Sequence, residues 1–362
     1  MKTVALGELV DFYSGGTPPK SNAKFWQGNV PWFSAKDMKK PRLTDSADHI
    51  AEEVFSSTPL RKLPPGTVAI VVRGMILAHT VPISILDVAA AINQDLKALL
   101  PKRAVDTSFL AAMLRAQHGM ILSQVGTAAH GTKKLESRVL ENLRIPFPPL
   151  AEQRRIAAIL DHAESLRTIR RQVLLQLEML EQSIFHDMFG VSDFEIVRLK
   201  DAVKWSSGKF LPAKNQVRGP HPVYGGNGIN GYHAEFMFHE PKLIVGRVGA
   251  YCGAVHVTEP FSWVTDNALV ATLLRDDLTL EYLLPALTTA NLNRYAGVSG
   301  QPSISGGKIG DVQLAVPPVA LQEEFADRIS AIKRQSMLVE TALTADDELF
   351  ASLQTRALCG EL

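Results

Sequence analysis

Ile145-Pro146-Phe147-Pro148-Pro149-Leu150-Ala151-Glu152-Gln153 returns as Leu314-Ala315-Val316-Pro317-Pro318-Val319-Ala320-Leu321-Gln322, 169 residues further along the chain. Each run opens a long segment of helical composition, and each segment ends near a glycine, Gly190 or Gly360. The paired prolines preset φ for a first helical turn and lack an N–H that such a turn leaves unpaired anyway. Glu152 and Glu323-Glu324 follow, where the positive end of the helix dipole favours them. The chain therefore reads as a tandem duplication of variable block and helix. A duplicated chain with approximate two-fold symmetry suits a two-fold partner such as duplex DNA.

The expected boundaries are a first α/β domain over 1–145, a first long helix over 146–190, a second α/β domain over 191–313 and a second long helix over 314–362. In the first helix Ile159, Ala163, Leu166, Val173, Leu177, Leu180 and Ile184 keep a four-three spacing, with Arg170 as the polar intruder. In the second, Phe325, Ile329, Ile332, Val339, Leu343, Phe350, Leu353 and Ala357 do the same, broken by Ser336 and Asp346. Sustained spacing of this kind predicts a coiled coil. Antiparallel pairing preserves the pseudo-two-fold of the duplication, and arms of about 38 residues would run about 57 Å. Separate packing of each helix on its own globular core is the alternative.

The blocks resemble each other weakly. Val4–Val10 matches Val197–Val203, and each reaches a Ser-Gly, Ser14-Gly15 or Ser207-Gly208. Thr67–Gly74 parallels Lys242–Gly249, a β-branched strand that ends at Arg and Gly. The polar triplets Asn93-Gln94-Asp95 and Thr265-Asp266-Asn267 follow, then a short helix, then a Gly-rich loop, Gly126–Lys134 or Gly297–Lys308. Short strands, frequent Gly/Pro turns and few helices predict two mixed α/β domains.

Of the 362 residues 46% are hydrophobic, enough to bury real cores. The net charge of +1 hides a split. Residues 1–145 carry 18 basic and 12 acidic side chains, 191–313 carry 11 of each, and 314–362 carry 4 and 8. The first block is basic and the last helix acidic. Cys252 and Cys359 fit no metal-ligand spacing, so a reduced cytosolic protein is expected. Neither a signal peptide nor a membrane helix is read from the sequence.

The order of blocks, with Pro148-Pro149-Leu150-Ala151-Glu152-Gln153, Pro222–Tyr232, Gly246–Gly253, Trp263–Ala268 and the closing Gly360-Glu361-Leu362, resembles the specificity subunit of a type I restriction-modification system over essentially the whole chain. Leu321 departs from the pattern, standing where the first repeat has Glu152. The resemblance implies two target-recognition domains, each reading one half of a split site in double-stranded DNA. The two helices would fix the gap between the halves. It implies methyltransferase subunits, two of them, docking on the helices, and a restriction or translocase subunit joining them. S-adenosylmethionine would be held by the methyltransferase and not by this chain, which would be non-catalytic.

Other chemistry fits less well. Gly226-x-Gly228-x-x-Gly231 satisfies the dinucleotide fingerprint by letter, but a strand-like stretch follows where a helix is required. Gly306-Gly307-Lys308 fails as a P-loop, because Pro302 and Ile309 occupy required positions. Asp95-x-Lys97 with Asp87 is a loose echo of a nuclease metal site. His130 and His221 have no matched ligand partners, and no Asn/Asp-Pro-Pro-aromatic tetrad is present to hold a flipped adenine.

DNA reading needs donors on loops: Arg for guanine, Asn or Gln for adenine, Lys for phosphate. The first-domain candidates are Thr17, Lys20, Ser34, Lys36, Arg73, His130, Lys133 and Lys134. The second-domain candidates are Lys209, Tyr224, Asn227, Arg247, Tyr251, Gln301, Ser303 and Lys308. Arg73 and Arg247, at matching strand ends beside Gly, suggest one repeated role, either base reading or a repeated salt bridge. Arg154, Arg155, Arg170 and Arg171, with the acidic Glu323, Glu324 and Asp327, would either meet catalytic subunits or pair across the coiled coil. A scaffold that binds only protein remains the rival function, and direct use of a nucleotide by the glycine loop a third.

Overall fold

Thr67-Val68-Ala69-Ile70-Val71 is an unbroken apolar run, and it forms a strand, β6, buried along its whole length. Such a strand must be covered on both faces. A computed structural model of the chain describes residues 2–128, 131–190, 193–297 and 301–362. The chain divides into two compact units, residues 1–171 with 342–362, and residues 172–341.

In the first unit β6 is the middle of a five-stranded sheet, ordered β2-β9-β6-β7-β4. Its other members are β2 (Val10–Ser14), β9 (Leu96–Pro101), β7 (Ile83–Leu86) and β4 (Arg42–Leu43). A three-stranded sheet, β5-β3-β8, joins β5 (Asp48–Ile50), β3 (Val30–Phe33) and β8 (Ala91–Ile92). Here β3 runs parallel to β8 and antiparallel to β5. At the base β1 (Thr3–Ala5) pairs with β12 (Arg144–Pro146). A hairpin of β10 (Gly126–Thr127) and β11 (Lys133–Lys134) precedes it.

The second unit repeats this plan. Its main sheet is ordered β14 (Val203–Ser207), β20 (Ala268–Leu273), β17 (Leu243–Gly246), β18 (Val255–Val257). Its small sheet holds β16 (Gly228–His233), β15 (His221–Gly225) and β19 (Trp263–Val264), with β15 parallel to β19 and antiparallel to β16. At its base β13 (Glu195–Arg198) pairs with β21 (Gln313–Val316). The duplication read from the Pro-Pro runs is therefore a duplication of topology.

A short helix packs on each main sheet, Thr107–Ala116 in the first unit and Leu280–Thr289 in the second. Asp106 Oδ1 accepts from the Phe109 N–H to cap the first, and Thr279 Oγ1 from the Tyr282 N–H to cap the second. The repeated glutamine ties a long helix to each cap. The Gln153 carboxamide oxygen accepts from the Asp106 N–H at 2.9 Å, and its nitrogen donates to the Pro148 carbonyl at 2.9 Å. Gln322 accepts from the Thr279 N–H at 2.9 Å and donates to the Asp277 and Pro317 carbonyls at 2.8 Å. Both side chains are buried, at 1% and 0% exposure. A buried carboxamide holds its place only with its hydrogen bonds made, so the glutamine of each Pro-Pro run is a latch between arm and lobe.

The arms are single helices, Leu150–Phe189 and Val319–Cys359. Each unit contains one half of each arm, and in both units the halves run antiparallel. In the first unit Arg167 and Arg171 bond Asp347, Arg170 bonds Asp346, and the Arg167 guanidinium lies over the Phe350 ring. In the second, Phe185 and Phe189 pack edge-on against Phe325. The second arm turns the apolar set expected of it inward: Phe325, Ile329, Ile332 and Ala357 are buried, and Val339, Leu343, Phe350 and Leu353 half-buried. The first arm does not: its seam runs Ile156, Leu160, Ala163, Arg167, Arg170, Leu174, Leu177, Glu181, Ile184 and Met188. Leu160, Arg167, Leu174 and Glu181 each lie one residue later than an expected position, and Leu166 and Leu180 are left 39% and 45% exposed. The cause is that the seam is polar where Arg167 and Glu181 stand in it. Two of the three expected seam breakers, Arg170 and Asp346, face and bond each other. Those pairings place Arg170 and Arg171 across the coil, against Asp346 and Asp347 and not against the Glu323 flank.

Candidate nucleic-acid interface

In each lobe one sheet end gathers the polar loops, and the same backbone contacts build it twice. The Asn93 N–H donates to the Phe33 carbonyl at 2.9 Å, and the Thr265 N–H to the Tyr224 carbonyl at 2.8 Å. The triplets 93–95 and 265–267 are thereby equivalent. The Gly16 N–H reaches the Ile92 carbonyl at 3.0 Å, as the Lys209 N–H reaches that of Val264 at 2.9 Å. An indole N–H then clamps the carbonyl of that same residue: Trp32 donates to Gly16 at 2.9 Å, and Trp263 donates to Lys209 at 3.2 Å. The tryptophans come from different strands, β3 and β19, yet do one job. The preceding glycine is obligatory. A Cβ on Gly15 would lie 2.0 Å from the Ile92 carbonyl oxygen, and one on Gly208 2.3 Å from that of Thr265.

The strand ends at Arg73 and Arg247 join this rim, but one residue out of step. The Gly74 N–H donates to the Lys133 carbonyl and the Gly249 N–H to that of Pro302, both at 3.0 Å. The Leu135 N–H donates to the Val72 carbonyl, and the Ile304 N–H to that of Arg247. Arg247 is therefore the counterpart of Val72, and Arg73 the counterpart of Val248, which bridges Ser303 as Arg73 bridges Lys134. Successive residues of an extended chain face opposite ways. The two arginines are thus not equivalent positions of the repeat. The Arg247 guanidinium turns to the Ser207 hydroxyl at 3.3 Å, whereas Arg73 is exposed.

Among the remaining first-lobe candidates, Thr17 is exposed and donates its hydroxyl to Gln94 Oε1 at 2.7 Å. Lys20 is exposed. Lys36 is paired with Asp48 at 2.7 Å, and that hydrogen bond holds the ammonium above its ordinary range. Lys133 donates to the Thr127 hydroxyl at 2.9 Å, and Lys134 pairs with Glu136 at 2.9 Å. Ser34 is buried, its hydroxyl donating to Asp37. His130 lies outside the described residues.

In the second lobe Lys209, Asn227, Tyr251, Gln301 and Lys308 are exposed, and the Lys308 ammonium donates to the Ser303 carbonyl at 3.2 Å. The Lys209 ammonium sits 6.0 Å from the centre of the Trp263 ring. Tyr224 needs correction: it is 5% exposed within a small apolar cluster, its hydroxyl accepts from the Glu259 N–H, and burial raises its pKa. β15 is buried from Pro222 through Gly225, so Tyr224 is a core residue and not a surface donor. Among the described residues Lys20, Arg73, Lys209, Arg247 and Lys308 have no carboxylate partner, which leaves their charge directed at solvent. Asp87 is paired with Arg42, Asp95 accepts from the Asn93 amide, and Lys97 donates to Ser14, so the loose nuclease set is engaged elsewhere. Gly228–His233 is strand β16 and not a helix, which removes the context a dinucleotide fingerprint requires.

The family model of the type I restriction modification DNA specificity domain matches residues 1–179 and again residues 191–345. The specificity subunit of the type I restriction enzymes EcoR124I/EcoR124II of Escherichia coli is 35% identical over 162 residues, covering 44% of this chain and 40% of that subunit. The chain thus spans less than half of that relative. The specificity subunit of the Escherichia coli enzyme EcoprrI is 25% identical over 342 residues, covering 88% of this chain and 84% of its own. In fold, the S subunit of a type I restriction-modification system from M. genitalium superposes with a TM-score of 0.67 at 15% identity, covering 99% of this chain and 96% of that one. No helix among the described residues is long and apolar enough to cross a membrane.

Proposed function

The chain belongs to the type I restriction-modification DNA specificity family, carrying its domain twice, and we propose that each lobe reads one half of a bipartite site in double-stranded DNA. The observation that carries this reading is the rim built twice from the same backbone contacts but furnished with different side chains. A repeated frame with unlike tips is what two unlike half-sites require. Cations without carboxylate partners on both rims would meet phosphate and position each lobe, while donors beside them would read base edges.

The chain is non-catalytic in this reading. Methyltransferase subunits, two of them, dock on the arms and hold the S-adenosylmethionine, and a restriction or translocase subunit joins the assembly in the cytoplasm. The arms offer apolar surface for docking: Ile169 and Leu349 in the first unit, and Leu175, Met179, Met337 and Leu338 in the second, are more than half exposed. The arms would set the unread gap.

Co-expression of the chain with candidate methyltransferase subunits, purification by a tag on this chain and mapping of methylated adenine in the host DNA test the proposal. A split motif whose halves change separately when each lobe is exchanged is the expected result. A stable assembly with neither methylation nor DNA binding would support the protein scaffold instead.

A further inference from the structure

The clamped platform at the rim ends in a different residue in each lobe. In the first lobe Gly15 and Gly16 are followed by Thr17, and in the second Gly208 and Lys209 are followed by Phe210. The equivalence holds bond by bond: the same strand register, since Ser14 pairs with Lys97 and Ser207 with Leu269, the same N–H to carbonyl contact and the same tryptophan clamp. Phe210 is 74% exposed, more than any other large hydrophobic among the described residues. A phenyl ring held in water from a pinned backbone gains nothing for the fold. Its neighbours are charged and polar: Lys209 precedes it, and Arg247 bonds Ser207 three residues before it.

We propose that positions 17 and 210 are the reading tips of the two lobes, and that Phe210 contacts a thymine in the second half-site. This rests on the DNA-reading function above. The ring has neither donor nor acceptor for a base edge, and the one apolar feature in the major groove is the thymine C5-methyl group. The cations around it draw the lobe onto phosphate and so bring the ring to that groove. The carrier is built from glycine, indole and main chain, so the tip can change without disturbing the carrier. That explains why a hydroxyl stands at Thr17 and a phenyl at Phe210.

The test uses the assembled complex with its methyltransferase subunits. Methylated motifs are mapped for the wild type, Phe210→Ala and Phe210→Thr. Binding is then measured on duplexes whose second half-site carries uracil in place of thymine. We expect both variants to relax one A·T position in the second half-site and leave the first half intact. Loss of the thymine methyl should weaken wild-type binding about fourfold, the equivalent of one buried methyl, and leave Phe210→Ala unaffected. An unchanged motif in both variants overturns the inference alone, provided the wild type marks a split motif. Loss of assembly in Phe210→Ala also overturns it, because the ring would then be a protein contact. A wild-type complex that marks no split motif overturns the DNA-reading function and this inference together.

Discussion

At the scale of single residues, the rim depends on groups too close for any substitution. Gly208 has carbonyl oxygens 2.3 and 2.4 Å from where a Cβ would sit. Gly208→Ala must move the clamped loop, and we expect a loss of about 2–3 kcal/mol, read as a shift in urea midpoint. His256 provides a second test. Its ring is half-buried on β18, its Nε2 has no partner among the described residues, and burial lowers its pKa below the ordinary value of 6.5. The unfolded chain therefore takes up the proton first, so stability is unaffected above about pH 6.5 and falls as the pH drops below it. His256→Gln should reduce the loss of melting temperature between pH 7 and pH 5; an undiminished loss would remove His256 from the account. The Ser-Gly pairs were legible in the sequence because they stand at matching places in both blocks. The arginine pair misled because each stands beside a glycine; setting Gly74 against Gly249 already places Arg73 opposite Val248, and the hydrogen-bond register agrees. Phe210 carries neither donor nor acceptor, so the expectation that base reading needs donors on loops does not point to it.

At the scale of elements, the arms are held by a few buried polar contacts. Gln322 makes bonds to Thr279, Asp277 and Pro317, whereas Gln153 bonds Asp106 and Pro148. Substituting either by Leu strands buried backbone groups, at roughly 1 kcal/mol or more for each bond lost. We expect Gln322→Leu to cost about 3 kcal/mol and Gln153→Leu about 2 kcal/mol, measured by denaturant unfolding; the reverse order would discount the latch. The Arg170–Asp346 pair makes a different prediction, because its side chains are only 37% and 18% exposed. Asp346→Leu alone leaves a half-buried guanidinium without its counterion, while Arg170→Leu with Asp346→Leu turns the site into an ordinary apolar seam. The double variant should recover most of the stability lost by the single one, a coupling that a double-mutant cycle reads directly. Existence and length of the arms were legible from the Pro-Pro starts and terminal glycines. The seam of the first arm was not, because Leu166 and Leu180 imitate seam residues while Arg167 and Glu181 occupy the seam. Hydrophobic spacing alone cannot find a charged pair that packs inward.

At the scale of the whole molecule, the duplicated topology was legible, since the Pro-Pro runs and polar triplets recur in order. What the two copies would read under the proposed function was not, because the side chains at matching rim positions, Thr17 and Phe210, differ between the copies. The proposed gap-setting role makes a length prediction with an unusual phase. Each arm is about 40 residues, or about 60 Å at 1.5 Å per residue. Inserting one heptad at equivalent places in both arms preserves the antiparallel seam and adds about 10 Å, close to three base-pair steps of about 3.4 Å. Such a heptad returns the helix face almost to its starting direction, but three base pairs turn the groove by about 100°. A lobe so displaced would meet the wrong face of the duplex, and specific methylation should fall. Three heptads in both arms add about 32 Å, close to the roughly 34–36 Å of a full turn of DNA. The groove then faces the lobe again, and methylation should return on a motif with the same two halves and a gap about nine or ten base pairs longer. Mapping methylated adenine in cells that carry each variant distinguishes the cases. If the three-heptad protein assembles and still marks the original gap, the arms do not measure it, and the spacing must instead be set by the subunits that dock on them.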